Sequence, residues 1–159
     1  MTATRGLRTQ RRSVDVARSA LVEVPAGTVF DIVEQAEHYP AFLPWCASAR
    51  ILERTDEIVA AEIAVDYHGV GFSFVTRSPK RRPEWLAVRM ERGPFRRFEG
   101  EWRLTALAPD ACRIAFAMQY EMAGPLARIA SPVFDRIANT FVDAFVARAR
   151  TLAGQTDTQ

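Results

Sequence analysis

Cysteine, histidine and lysine are scarce in this sequence: Cys46, Cys112, His38, His68 and Lys80 are their only representatives among 159 residues. The two cysteines have neither metal-ligand spacing nor the numbers for a disulfide framework, so they are expected as reduced core thiols of a cytosolic protein. Neither histidine lies at a recognisable spacing from a serine or cysteine nucleophile or an acidic partner, so spacing gives catalysis or a metal site little support. No apolar run approaches the ~18 residues of a membrane span, and the apolar segment of a secretory signal is missing. Glycine-rich phosphate loops, internal repeats and low-complexity tracts are also absent. So is an excess of one charge, since 21 Lys+Arg against 19 Asp+Glu leave a formal +2. That balance does not make nucleic acid the default partner, and DNA is not expected. Every cation but Lys80 is arginine, which a codon bias explains as readily as function.

What is present describes one globular domain. The length suits a single domain, and with 48% apolar and 25% charged residues the chain can bury a sizeable core. Residues 1–12 carry Arg5, Arg8, Arg11 and Arg12 and no acid. They are short, with Leu7 as the one large apolar residue after the initiator, and they read as a flexible tail rather than a targeting segment. The domain is expected over residues 13–153, with a frayed tail at 154–159. A cytoplasmic protein, at most peripheral at the inner membrane, is the expected setting.

A period of two dominates between the tails. Residues 14–24 place Val14, Val16, Ala20, Val22 and Val24 on one face, and 47–54 form a short second strand. In 58–67, Val59, Ala61, Ile63, Val65 and Tyr67 oppose Glu62 and Asp66. After His68–Gly69, Val70, Phe72, Phe74 and Thr76 continue one face, with Arg77 opposite. Residues 84–91 group Leu86, Val88 and Met90, and 95–104 set Phe98, Gly100, Trp102 and Leu104 against Arg97, Glu99, Glu101 and Arg103. In 112–122, Cys112, Ile114, Phe116, Met118, Tyr120 and Met122 share a face. Ser78–Pro79, Arg92–Gly93–Pro94 and Pro109–Asp110 supply turns at hairpin spacing. Short links imply an antiparallel meander with one wet face.

Helical signals occur twice. Thr28-Val29-Phe30-Asp31 fits a capping pattern and predicts a short helix over 28–36. Residues 125–152 repeat Leu126, Ile129, Val133, Phe134, Ile137, Phe141, Phe145 and Leu152 at three- and four-residue steps, with Gly154 as a stop. Pro132 either begins the main helix behind a Ser131 cap or lies within a longer one. A helix with three phenylalanines must bury them, and only the sheet is large enough to receive them. The expected fold is α+β: a curved antiparallel sheet of about seven strands around a long C-terminal helix, with an apolar cavity between them.

The run His38-Tyr39-Pro40-Ala41-Phe42-Leu43-Pro44-Trp45-Cys46 is too short and too proline-broken for a helix, yet it holds four large apolar side chains. Such a loop either plugs one end of the core or forms a greasy lip at a cavity entrance. Tyr39-Pro40-x-Phe42-Leu43-Pro44-Trp45-Cys46, Gly93-Pro94-Phe95-x-x-Phe98-x-Gly100-x-Trp102 and Pro132-Val133-Phe134-x-x-Ile137 together resemble the coenzyme Q-binding proteins of the START-like superfamily. Bacterial members of that family also go by the names ribosome-association toxin and polyketide cyclase/dehydrase. The likeness covers roughly residues 11–154. It implies a helix-grip fold with a hydrophobic tunnel that holds ubiquinone as bound ligand, needs no cofactor, and serves respiration as a carrier or chaperone. The cavity mouth would correspond to Tyr39, Phe42, Leu43 and Trp45. The sheet face would correspond to Phe74, Phe98, Trp102, Phe116 and Met118, and the helix stripe to Phe134, Ile137 and Phe141. Each of these also suits ordinary core.

Two basic clusters remain: Arg77, Lys80, Arg81 and Arg82 at one turn, and Arg89, Arg92, Arg96 and Arg97 near another. They are either solubilised hairpin ends or a footprint for anionic lipid headgroups or ribosomal RNA. At roughly 1 kcal/mol per cation near an anionic membrane, four to six would give a modest, salt-sensitive anchor. A ribosome-directed toxin and a small cyclase using His38 or His68 are the alternatives to the quinone carrier.

Overall fold

Alternating side chains build seven strands in the computed structural model, which describes residues 13–157. They are β1 (Val14–Val22), β2 (Cys46–Arg54), β3 (Ile58–Tyr67), β4 (Val70–Arg81), β5 (Trp85–Arg92), β6 (Phe95–Ala108) and β7 (Ala111–Met122). Helix α1 (Ala26–Glu34) and a 3₁₀ helix (Ala36–Ala41) lie between β1 and β2, and α2 (Ala127–Asp157) follows β7. Every pairing is antiparallel, in the order β1-β7-β6-β5-β4-β3-β2. Consecutive β1 and β2 are therefore opposite edges, and the segment between them has to cross the sheet. The expected α+β architecture, a curved seven-stranded sheet gripping a long C-terminal helix, is the one observed. The expected tail at 1–12 lies outside the described residues.

Register shifts bend this sheet. They occur between Cys46 and Ser48 and between Ile51 and Glu53 in β2, between Val75 and Thr76 in β4, and twice in β6. An extra residue on one strand kinks it and increases its twist, which makes one face concave. On β7 the alternation is complete: Cys112, Ile114, Phe116, Met118, Tyr120 and Met122 are all buried there. Helix α2 closes the concavity with Ala130, Phe134, Ile137, Ala138, Phe145 and Ala149, and α1 adds Val29, Phe30 and Val33.

Several boundaries differ from the sequence reading. Ser78–Pro79 is no turn: β4 runs through it, with Ile58 opposite Pro79 and Val59 opposite Ser78. Proline cannot donate to a ladder, but here the loss stays local, because pairing to β5 at Thr76–Met90 resumes at Lys80–Leu86. The chain reverses after Arg81 instead. Helix α1 starts at Ala26 behind Pro25 with no side-chain cap, so Thr28 is already helical. Asp31 answers a distant cation rather than a helix end: Arg82 Nε and Nη2 donate to its carboxylate at 2.9 and 3.1 Å. Pro132 lies inside α2, which passes Gly154 without stopping. Ile129, placed on the buried stripe by spacing, is 63% exposed, and its neighbour Ala130 is buried instead.

Candidate functional site

The concave face and α2 are lined by rings that fall into two groups. Phe72, Phe74, Phe95, Phe98, Tyr120 and Phe134 form the first, with centroids 4.8 Å apart for Phe95–Phe98 and Tyr120–Phe134. Tyr39, Phe42, Trp45, Trp102, Phe116, Phe141 and Phe145 form the second, tightest at Trp102–Phe116, 4.6 Å. Offset and edge-on contacts of this kind are favoured by the ring quadrupole. Phe134 and Phe141, two turns apart on α2, belong to different groups, and the residues between them include Ile137 and the small Ala138. Gly100, Ala61 and Ala36 add small residues to the lining between the groups. A cavity of about 90 Å³ lies there, between sheet and helix.

Ten of the twelve residues nominated for ligand contact line this cavity: Tyr39, Trp45, Phe74, Phe98, Trp102, Phe116, Met118, Phe134, Ile137 and Phe141. Phe42 and Leu43 do not. Leu43 is 1% exposed and packs in the core, whereas Phe42 meets Phe145 edge-on at 5.2 Å and carries the Arg148 guanidinium over its ring. The proline-bracketed run therefore works mainly as a plug, with Tyr39 and Trp45 facing inward. The Tyr39 hydroxyl donates to the Val33 carbonyl and ties the plug to α1. Burial raises the Tyr39 phenol above its ordinary range, so it stays a donor. Burial also pushes the Cys46 thiol up to about 11, consistent with an inert core thiol.

One end of the lining is polar, and the sequence reading missed it. Glu34, at the C-terminal end of α1, is buried against the cavity. Its Oε2 accepts from Arg54 Nε at 2.7 Å and Lys80 Nζ at 2.9 Å. Arg54 also holds Glu37 at 2.8 and 3.0 Å, and that hydrogen bond lowers the Glu37 carboxyl below its ordinary value. Thr76 and Ser78 line the same end. The signal was available in phase: Thr76, Ser78 and Lys80 continue the row begun by Phe72 and Phe74, but the turn assigned at Ser78–Pro79 cut that row short.

The surface clusters are less free than their composition implied. Lys80, nominated for membrane or RNA contact, faces inward with a side chain only 9% exposed, because β4 continues past Pro79 and alternation turns it to the concave side. Arg77 pairs with Glu53, Arg82 with Asp31, Arg96 with Glu121 and Arg97 with Glu99, all at about 3 Å. Arg81 lies over the Trp85 ring, and Arg92 is exposed. His38 is exposed, and His68, next to the β3–β4 turn, has Arg136 as its polar neighbour at 3.4 Å. Among the described residues, no three His, Cys, Asp or Glu side chains are grouped to hold a metal ion. No described helix is long and apolar enough to cross a membrane.

A curved antiparallel sheet closed by a long C-terminal helix over an aromatic cavity defines the helix-grip class of proteins. The chain belongs to the polyketide cyclase / dehydrase and lipid transport family, whose model matches residues 22–146. Among curated relatives it is 37% identical to the ribosome association toxin RatA of Pseudomonas aeruginosa, over 89% of this chain and 99% of that one. It is 25% identical to the mitochondrial coenzyme Q-binding protein COQ10 homolog B of Xenopus laevis, over 91% of this chain and 61% of that one. Among solved structures, the Zhui aromatase/cyclase of a Streptomyces species superposes with a TM-score of 0.74 at 17% identity, covering 87% of this chain and 94% of that one. At that identity the last likeness establishes the fold alone.

Proposed function

We propose that this domain binds a polyisoprenoid quinone of the ubiquinone type between sheet and α2 and carries it without chemical change. The observation behind this reading is the cavity itself: ten aromatic and aliphatic side chains nominated from sequence converge on it from the plug, three strands and α2. Burying each tail methylene contributes ~0.8 kcal/mol, so affinity should rise with tail length until the space is full. At about 90 Å³ the cavity is well below the ~300–1,000 Å³ of pockets that hold drug-sized ligands. A quinone therefore enters as the two ring groups part. The carrier would work from the cytoplasm and touch the membrane surface only to load and unload. Organic extraction of natively purified protein followed by mass spectrometry, with a heat-denatured control, tests the reading. Near-stoichiometric quinone is expected; folded protein that neither yields nor takes up quinone overturns it.

The relative named ribosome association toxin supports a second reading, in which the exposed arginines meet ribosomal RNA. Combined Arg81→Glu and Arg96→Glu would then abolish co-sedimentation with ribosomal subunits, while cavity substitutions that preserve the fold would leave it intact. Unchanged sedimentation of the double variant counts against it.

A further inference from the structure

The inward row of β4 changes character halfway: Val70, Phe72 and Phe74 are followed by Thr76, Ser78 and Lys80. Thr76 and Ser78 are 8% and 3% exposed, and both face the cavity. Among the described residues neither hydroxyl has a hydrogen-bond partner. The side chains opposite them offer none, since Ala61 and Met90 flank Thr76 and Val59 lies opposite Ser78. Buried polar groups are nearly always satisfied, and an orphaned one costs free energy. Two such groups side by side at one end of an aromatic cavity therefore mark a place where a ligand atom completes the bonding.

The charges beside them restrict that ligand. Arg54 and Lys80 are the cations at this end, and both are held by carboxylates: Lys80 by Glu34, and Arg54 by Glu34 and Glu37. Two cations and two carboxylates sum to zero. Both cations converge on Glu34 Oε2, whereas Glu34 Oε1 has no partner among the described residues. An anionic head would meet a carboxylate with no free cation to offset it. A neutral oxygen meets two hydroxyl donors, and a head that also carries an O–H can donate to Oε1.

We infer that Thr76 and Ser78 are the head-group anchor of the cavity, taking the carbonyl or hydroxyl oxygen of a neutral-headed apolar ligand and discriminating against acid-headed lipids. The inference rests on the proposed ligand-carrying cavity and adds to it an orientation: the oxygen-bearing head lies against β4 beside Glu34, and the tail runs between the ring groups.

Trp45 and Trp102 line the cavity, so quenching of tryptophan fluorescence reads occupancy. Three probes of matched tail are titrated: a ubiquinone with two isoprene units, the corresponding isoprenoid hydrocarbon and the corresponding isoprenoid carboxylic acid. Displacement of the quinone reads the two non-quenching probes. The quinone is expected to bind ~tenfold more tightly than either competitor, the size of one or two hydrogen bonds. In the Thr76→Val/Ser78→Ala double variant that margin should fall below ~threefold, with hydrocarbon affinity retained. Because these substitutions remove orphaned hydroxyls and leave every observed bond intact, the melting temperature of the unliganded variant should not drop. A double variant that still prefers the quinone tenfold, or a wild type that binds hydrocarbon or acid as well as quinone, overturns the anchor while leaving the cavity reading in place. A wild type that binds none of the three overturns the cavity reading, and the anchor with it.

Discussion

The interior of this domain and its arginine-bearing surface hold the side chains from which two different functions can be argued, and they are built differently. Inside, rings from the plug, the sheet and α2 converge on one cavity although they are scattered along the chain, and the charges at its polar end balance one another, with only Glu34 and Lys80 buried. Outside, the basic residues sit close together in sequence but mostly answer nearby acids, such as Arg96 with Glu121 and Arg97 with Glu99. Any core brings distant apolar residues together, but here they leave a space between sheet and helix with a polar end. Clustering of charges at hairpin ends is ordinary, because turns are where strands meet water. The interior therefore carries the stronger functional argument.

The largest effect is expected at Trp102. It is almost fully buried and packs on Phe116, Phe145 and Phe141 at 4.6, 5.0 and 5.7 Å. Trp102→Ala should cost about 3–5 kcal/mol in chemical denaturation and abolish quinone retention. Phe141→Arg, at a half-buried ring at the centre of the second group, should abolish retention while leaving the fold standing. A folded Phe141→Arg protein that still holds quinone would end the case for a central cavity.

Next comes the buried charge cluster. Glu34→Ala strands Lys80, whose side chain is 9% exposed, and removing one member of a buried pair typically costs about 3–5 kcal/mol. The lower end is expected, because Arg54 keeps Glu37 as a partner. Replacing the pair together, Glu34→Met with Lys80→Met, should recover most of that loss in the same denaturation measurement.

These positions also show what could be read from the sequence. Strict alternation located β3 and β7 to within a residue, because one face of each is buried against the core and every second side chain must comply. The aromatic half of the site was legible for the same reason. The polar half was not: Pro79 resembled a turn signal, and nothing local reveals that the missing donor costs β4 only a short gap in its pairing to β5. Thr28 and Asp31 matched a capping pattern, yet the partner of Asp31 is Arg82, far along the chain. Local rules failed where a long-range partner or a sheet neighbour decided the outcome.

A smaller effect is expected from pH. The Cys46 thiol, ordinarily titrating at 9.0, is pushed up to about 11 by burial. The unfolded chain then loses this proton before the folded one does, so the contribution is intact below pH 9 and drains away as pH rises toward 11. Denaturation midpoints followed over that window should decline, and Cys46→Ala should flatten the part of the decline that Cys46 contributes. An identical slope in the variant would assign the decline to other groups.

The smallest expected effect tests the surface side of the contrast. Arg96 donates to Glu121 at 3.0 Å with its own side chain 66% exposed, and such a pair contributes about 0.2–1 kcal/mol at low salt. Arg96→Ala should therefore shift stability by no more than that, and the shift should fade in high salt as screening shortens the reach of exposed charges. The Glu34–Lys80 pair, shielded from solvent, should keep its contribution under the same salt. If Arg96→Ala leaves stability and quinone retention untouched but removes ribosome co-sedimentation, the surface is functional despite its ion pairs, and the interior and the surface serve separate partners. If it changes none of the three, Arg96 is a solubilising residue of a hairpin end.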